Sequence, residues 1–246
     1  MKMGYHRDAS HSPEISVFRG EMQRRIWAAL SHLDLQTSCQ IGLPRMIKEG
    51  MSDTRDPSNL LDEDFDENTQ LLPPSRNPNE ITPVSYGVAK NGISAILGTI
   101  IDSANSALPI PYDEVMRLDA ILDDVHEKTP DSLRLRNIRD MNLGSPNMRV
   151  RRFCLDLCYH KARCVLHRKF MFRKPAEPRF SYSVKSCVDS SMQILRYQEH
   201  IYNETVLGKS LHEQKWKISS LTNNDFLLGD MILCKCLVLT FDWNDV

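Results

Sequence analysis

The chain has 246 residues, of which 41% are hydrophobic and 26% charged, and its formal net charge is −1. This composition is ordinary for a globular protein, and the length suffices for one large or two small domains without stabilising disulfides or metals. The near-zero charge argues against a domain that binds DNA by its own electrostatics, because such domains carry a clear positive excess. Seven cysteines, an odd number in a long chain, favour reduced thiols in a cytosolic or nuclear protein over a secreted disulfide framework.

The N-terminal segment, Met1 to Pro13, is polar and has no apolar core, so we expect no signal peptide. Residues 1–15 are expected to be disordered. The first predicted helix begins near Glu21 and continues to about Ile41, because Ile26, Trp27 and Leu30 recur at near-helical spacing. Gly42 and Pro44 then end it, since glycine favours the left-handed cap and proline cannot continue a helix.

A long connection, residues 48–83, is proline-rich and acidic, with few apolar residues. Such a segment cannot form a core of its own, and it is either mobile or wrapped around the helices. We favour wrapping, because five apolar side chains could anchor it: Leu60, Leu61, Phe65, Leu71 and Leu72.

Apolar periodicity predicts five further helices, and no sustained period-two alternation indicates a strand. They cover about 84–103, 112–130, 148–170, 182–202 and 219–239. The most apolar stretch, 226–241, contains Asp230 and Lys235 near its middle, which favours a buried helix over a membrane span. The sequence therefore predicts an all-α domain over residues 1–246, a multi-helix array with one long proline-rich acidic connecting loop.

Three groups of residues follow one another along the chain. The first is Glu21-Met22-Gln23-Arg24-Arg25-Ile26-Trp27, with Asp34 and Gly42-Leu43-Pro44 after it. The second is the acidic stretch 53–67, which leads into Leu72-Pro73-Pro74, and the third is 159–168, with Tyr182-Ser183 and Cys187 beyond it. In this order they resemble the fungal-specific transcription factor domain, the middle homology region of fungal zinc-cluster regulators. The resemblance extends over about residues 13–237.

This resemblance implies a partial regulatory and protein-interaction domain that acts in the nucleus. The family's N-terminal zinc cluster uses paired Cys-x-x-Cys units, and this sequence has none. We therefore expect no cofactor in this chain, zinc only in that missing cluster, and DNA contact only through the missing domain. The chain is expected to be a fragment, a truncated gene model or a degenerate paralogue. The implied partners are the transcription machinery or the rest of a regulator, without a membrane, and a small-molecule effector is compatible with the resemblance.

The first group of residues is expected to have an architectural role. Its members are Glu21, Arg24, Arg25, Trp27, Asp34, Gly42 and Pro44. Trp27 is a large apolar anchor, and Glu21 can pair with Arg24 or Arg25 three or four residues along the helix. Asp34 lies on an otherwise apolar face, so we expect it to pair with a distant arginine, because an unpaired buried carboxylate is costly. The alternative is that these charges are solvated at the surface.

His160, Cys164 and His167 share one helix face, and both residue types bind zinc. We favour a packing stripe in which cysteine acts as a small hydrophobe, because a fourth ligand is not evident. Basic residues also concentrate between Arg149 and Lys174. They could form a nucleic-acid patch or a nuclear-import segment, but we favour pairing with the acidic stretch 53–67.

Catalytic templates such as a Gly-x-Ser-x-Gly elbow or a glycine-rich phosphate loop are absent from the sequence. We therefore predict no catalytic residue and no enzymatic activity. The alternative to a transcription regulator is an orphan helical module, without DNA binding, that holds an apolar small molecule between its helices.

Overall fold

The computed structural model describes residues 3–48, 50–171 and 178–241. The helices are α1 (Val17–Ile41), α2 (Ser85–Asn105), α3 (Tyr112–Glu127), α4 (Pro146–Met171), α5 (Ser181–Glu204) and α6 (Lys215–Phe241). Short 3-10 turns lie in the connections, and no β-strand occurs in these ranges. The predicted all-α class is confirmed. Each predicted helix is present, although α1 and α6 begin about one turn earlier than predicted.

The chain divides into two compact units. The first unit comprises Met1–Asn105 with Glu127–Arg134, and the second comprises Ser106–His126 with Leu135–Val246. The sequence did not indicate this division, because apolar periodicity shows which face of a helix is buried and not which helices share a core.

In the first unit, α1 packs against α2, and the acidic connection between them anchors its apolar side chains. Leu60 and Phe65 are buried, with 1% and 6% of their surface exposed, whereas Leu71 is 84% exposed. The described residues of the connection form neither helix nor strand. It therefore wraps the helices through some of the predicted anchors and leaves Leu71 in solvent.

The N-terminal segment also packs on the first unit. Asp8 is buried, with 2% of its surface exposed, and residues Ala9–His11 form a 3-10 turn. The prediction of disorder is therefore wrong for residues 3–15, because a polar segment can be ordered by ion pairs without apolar residues of its own. Residues 1 and 2 lie outside the described part of the chain.

In the second unit, α4 packs against both α5 and α6, and α5 also packs against α6. The core includes Phe153, Leu155 and Leu157 of α4 together with Ile194 of α5. Hydrogen bonds attach α3 to α4 and α5, as described below. In the described ranges, no helix is both long and apolar enough to cross a bilayer.

Candidate functional site

Glu21 of α1 is completely buried and connects the helix to the acidic connection. Its Oε1 accepts a hydrogen bond from the backbone N–H of Ser58 at 2.8 Å. The guanidinium groups of Arg24 and Arg25 each approach the carboxylate to 3.6 Å, from positions i+3 and i+4. A carboxylate buried in this way needs those positive neighbours, because an unpaired buried charge is costly.

Arg24 binds Asp8 through a bidentate pair. Its Nε and Nη2 donate to the two carboxylate oxygens at 2.9 and 2.8 Å. Arg55 adds hydrogen bonds from its backbone N–H and its Nη2, each 3.0 Å long. The hydrogen bond from Arg24 is the main reason that the pKa of Asp8 lies far below its ordinary value. This cluster joins the N-terminal segment, α1 and the acidic connection.

Arg25 holds the next part of the connection. Its Nη1 donates to Asp62 at 2.7 Å and its Nη2 to the carbonyl oxygen of Leu60 at 3.2 Å. The guanidinium carbon lies 4.9 Å from the ring centroid of Phe65, within the range of a cation–π interaction. Trp27 is 9% exposed, and its ring centroid lies 6.3 Å from that of His6.

Among the residues that the structure describes, no arginine is paired with Asp34, so the predicted ion pair is wrong for this part of the chain. The Asp34 carboxylate accepts the backbone N–H groups of Met46 and Ile47 at 3.1 and 2.8 Å. It is only half-buried, and two backbone donors in the turn after α1 satisfy it locally. Gly42 ends α1 in the left-handed conformation with φ 70°, and Pro44 is exposed in the same turn.

The sequence predicts that the basic residues between Arg149 and Lys174, here called the basic block, pair with the acidic stretch 53–67. In the ion pairs that the structure shows, they bind other residues, so this prediction is wrong for those pairs. Asp62 and Asp64 bind Arg25 and Arg76 within the first unit. In the second unit, Arg149 binds Glu204, Lys161 binds Asp225 and Arg163 binds Asp119, each within 3.2 Å. The sequence does not indicate these partners, because the two residues of each pair lie on different helices that meet only when the protein folds.

A buried polar network in the second unit is centred on Asp119 of α3. Arg163 Nε donates to Asp119 Oδ1 at 3.2 Å, His167 Nε2 lies 3.1 Å from the same oxygen, and the Tyr182 hydroxyl donates to Oδ2. Burial alone would raise the pKa of Asp119, but the hydrogen bonds from His167 and Tyr182 and the charge of Arg163 lower it below its ordinary value. The network thus keeps an ionised carboxylate inside the packed helices.

Ser183, His167 and Asp119 are arranged in the order of a serine-hydrolase triad. The Ser183 Oγ lies 2.9 Å from His167 Nδ1, and it also lies 3.1 Å from the hydroxyl of Tyr112. Both Ser183 and His167 have no exposed surface. A substrate carbonyl therefore has no route to the hydroxyl, and this geometry is that of a packing contact rather than of an accessible nucleophile.

Asp156 of α4 forms a second buried cluster. Its carboxylate lies 2.7 Å from His126 Nε2 and 3.3 Å from His160 Nε2, and it accepts a hydrogen bond from the Tyr197 hydroxyl. Burial tends to raise the pKa of Asp156, yet the two histidines and the tyrosine hold it below its ordinary value. The ring of His126 stacks on Tyr159 at 4.0 Å.

The three weak zinc candidates have separate partners. His160 faces Asp156 and His167 faces Asp119 and Ser183, whereas the Cys164 thiol lies near Ser191 Oγ and the carbonyl of Cys187. Among the described residues, no group of three or more histidine, cysteine, aspartate or glutamate side chains is placed to hold a metal ion. The Cys164 side chain is completely buried where α4 packs against α5.

A small cavity in the second unit has a volume of about 10 Å³, enough for roughly one water molecule. Its lining includes Phe153, Ile201 and Ile218. A small-molecule site is typically tens of times larger, so this cavity gives no support to the ligand-binding alternative.

Comparison with known proteins identifies relatives among fungal regulators. The chain is 46% identical over 95% of its length to the Zn(2)-C6 fungal-type transcription factor pigI of Monascus ruber, and this match covers 29% of that protein. It is 42% identical over 95% of its length to the Zn(2)-C6 fungal-type transcription factor mpsB of Macrophomina phaseolina, covering 32% of it. Identity to the equisetin cluster transcription factor eqxF of Fusarium heterosporum is 38% over 95% of the chain and 33% of that protein.

No family model and no solved structure matches the chain. It spans 29–33% of the length of these three curated relatives. The resemblance that the Glu-x-x-Arg-Arg-x-Trp helix and the later groups of residues predicted is nevertheless confirmed. The chain is homologous, over nearly its whole length, to a region of the fungal Zn(2)-C6 transcription factors.

Proposed function

We propose that this chain is a regulatory and protein-interaction part of a fungal transcription regulator and that it modulates transcription in the nucleus. The observation that carries this proposal is 46% identity over 95% of the chain to a Zn(2)-C6 transcription factor. In the proposal, a separate zinc-cluster domain of the whole regulator holds the zinc and binds DNA, and the present residues form part of the regulatory domain and contact other proteins.

The buried ion pairs support a mechanical role over a chemical one. Glu21, Asp8 and Asp119 each contact at least one arginine, and all three carboxylates are at most 2% exposed. Networks of this kind specify one arrangement of the segments they join, and we propose this specifying role here. A partner that binds one arrangement more tightly would shift the equilibrium between arrangements, which is how such a domain could modulate transcription. No step of this mechanism requires catalysis.

A reporter assay tests the proposal. The chain would be fused to an unrelated DNA-binding domain and expressed in a fungal cell that carries a reporter gene with the matching sites. We expect reporter output to differ from that of the DNA-binding domain alone. The variant Leu122→Asp, which places a charge at a fully buried position of α3, should abolish the effect, because a charge there disrupts the core of the second unit.

The exposed substitution Glu63→Gln serves as the matched control and should leave the effect unchanged. Immunoblotting and microscopy would establish that each fusion is present and nuclear. Reporter output equal to that of the DNA-binding domain alone, at equal fusion levels, would contradict the proposal. An effect that persists in the Leu122→Asp variant would also contradict it, because the effect would then not depend on the folded helices.

A further inference from the structure

Arg149, near the start of α4, brings a buried positive charge to the connection between α5 and α6. Its side chain is only 7% exposed. Its Nη2 donates to Glu204 Oε2 at 3.0 Å and to Asn142 Oδ1 at 2.9 Å, and its Nε donates to the carbonyl oxygen of Met141. Its Nη1 donates to the hydroxyl of Ser210, which is an exposed residue. An exposed serine oxygen therefore lies directly on a buried guanidinium group.

The Ser210 hydroxyl lies between two opposite charges. It accepts the hydrogen bond from Arg149, and it donates to Glu204 Oε2 at 2.8 Å. Hydrogen bonds from Arg149 and Ser210 lower the pKa of Glu204 below its ordinary value, so this carboxylate stays ionised. A phosphate on the serine oxygen would remove the proton that Glu204 accepts and would place about two negative charges beside the carboxylate. The guanidinium group, by contrast, would gain a strong acceptor, because arginine binds phosphate through charge-assisted hydrogen bonds.

Ser210 also has the surroundings of a kinase substrate. Val206 and Leu207 of the same connection are 50% and 82% exposed, and Lys209 is exposed as well. Glu213, three positions after Ser210, is an exposed acid. Acidophilic serine kinases select an acid at this spacing, because a basic substrate site attracts it.

The position of Ser210 in the fold separates it from other residues with the same spacing. Five serine or threonine residues of the sequence have an aspartate or glutamate three positions later. Four of the five lie inside helices: Ser31, Thr99, Ser186 and Thr222. Ser210 lies between α5 and α6, so a kinase can extend its backbone without breaking a helix. The local opening required is release of Leu211, which is buried directly after it.

We propose that Ser210 is a phosphorylation site and that its phosphate takes the place of Glu204 on Arg149. In the reaction, the Ser210 oxygen forms a bond to the γ-phosphorus of ATP, the bond between that phosphorus and ADP breaks, and the hydroxyl proton passes to the kinase's catalytic base. The phosphate then binds the guanidinium group, and the repelled Glu204 carboxylate turns to solvent. Phosphorylation thereby changes how the connection is attached to α4. This site does not depend on the proposed role in transcription.

Treatment of the purified whole chain with casein kinase II and ATP tests the site. We expect a phosphoryl group on Ser210, located by tandem mass spectrometry of peptides. Ser210→Ala should abolish this modification, and Glu213→Gln should slow it at least about tenfold, because it removes the charge that the kinase selects. Glu63→Gln, an exposed change in the first unit, is the matched control and should leave the rate unchanged.

Circular dichroism would verify that each of these exposed variants is folded. Absence of phosphate from Ser210 in the folded chain would overturn the proposal. So would equal rates of modification at Ser210 in the Glu213→Gln variant and the unmodified chain.

Thermal unfolding before and after phosphorylation tests the exchange of anions on Arg149. Glu204→Gln removes the carboxylate and keeps the shape of the side chain. Phosphorylation of this variant should raise its Tm by about 3 °C or more, because the phosphate supplies the missing anion. The rise should be smaller in the unmodified chain, where phosphate and carboxylate compete for one guanidinium group. Equal changes in Tm would show that the phosphate does not replace Glu204 and would overturn the exchange.

Discussion

At the scale of single residues, the main feature is a set of carboxylates that remain ionised inside the protein. Burial disfavours their charged form, but the hydrogen bonds and positive charges around Asp119 and Asp156 outweigh that cost and lower both pKa values. Removing one partner of such a pair is costly because the other charge then stays buried without compensation. These residues are therefore where single substitutions are expected to have their largest effects.

Asp8→Ala should lower the free energy of unfolding by about 3 kcal/mol, since Arg24 would lose both hydrogen bonds in a site where it is only 13% exposed. Urea unfolding followed by circular dichroism would measure the loss. Glu63→Gln, an exposed change in the acidic connection, should shift stability by no more than about 0.5 kcal/mol. Equal stabilities for Asp8→Ala and the unmodified chain would show that the ion pair has no net effect.

Protonation of His32 makes the free energy of unfolding depend on pH. Burial, with a smaller contribution from the charge of Lys90, lowers the pKa of His32 from 6.5 to about 4. The unfolded chain therefore binds this proton at a higher pH than the folded chain does. Above about pH 6.5, His32 is neutral in both states and does not reduce the free energy of unfolding. As the pH falls from about 6.5 to about 4, the free energy of unfolding decreases, and His32 causes no further decrease below about pH 4.

The variant His32→Gln should consequently show a shallower decline in unfolding free energy between pH 6.5 and pH 4.5. The difference in this decline should be less than about 3 kcal/mol, the limit set by the size of the pKa change. Urea midpoints recorded at several pH values would give both curves. Parallel curves would mean that protonation of His32 is not linked to unfolding.

At the scale of secondary-structure elements, helix ends follow local residue chemistry. Ser16 caps the start of α1 by accepting the N–H of Arg19 at 3.3 Å, and Gly42 closes its end at φ 70°. These capping residues, together with the regular spacing of apolar residues along each helix, explain why the helix positions could be predicted from the sequence. The six starts and ends were predicted to within about one turn, because they depend on residues that are neighbours in the chain.

Glycine substitutions at two places should have opposite effects. Gly42→Ala should destabilise the protein by about 1 kcal/mol, because alanine is disfavoured at positive φ. Gly87→Ala, inside α2 with no atom within 4 Å of the added methyl group, should stabilise it by about 0.5 kcal/mol. Thermal unfolding of both variants would compare the signs. A stabilising Gly42→Ala would indicate that the turn does not require the left-handed conformation.

At the scale of the whole molecule, acidic and basic side chains nearly balance, and several charges of the basic block are paired within the second unit. The formal net charge is −1, and residues of the basic block such as Arg149, Lys161 and Arg163 already bind acidic groups of the second unit. Nucleic-acid binding needs many lysine and arginine side chains that face phosphate. These ion pairs reduce the positive charge that Arg149, Lys161 and Arg163 could offer to phosphate.

We expect the chain alone to leave duplex DNA unshifted in a gel mobility assay at about 0.15 M salt, where non-specific binding is weak. The positive control would be the same chain fused to an unrelated DNA-binding domain, tested on that domain's site. A sequence-selective shift by the unfused chain would contradict the expectation.

The sequence by itself determined the helical class, the positions of the helices and the family resemblance, because these depend on spacing between residues close together in the chain. The tertiary structure decided the rest. The residue pattern did not predict that Asp8 would pair with Arg24, that Asp34 would accept two backbone N–H groups, or that Ser183 would lie buried against His167. An isolated carboxylate or serine on a helix looks the same in sequence whether it faces solvent or a distant partner. Only the packing of helices brings that partner near and removes the water between them.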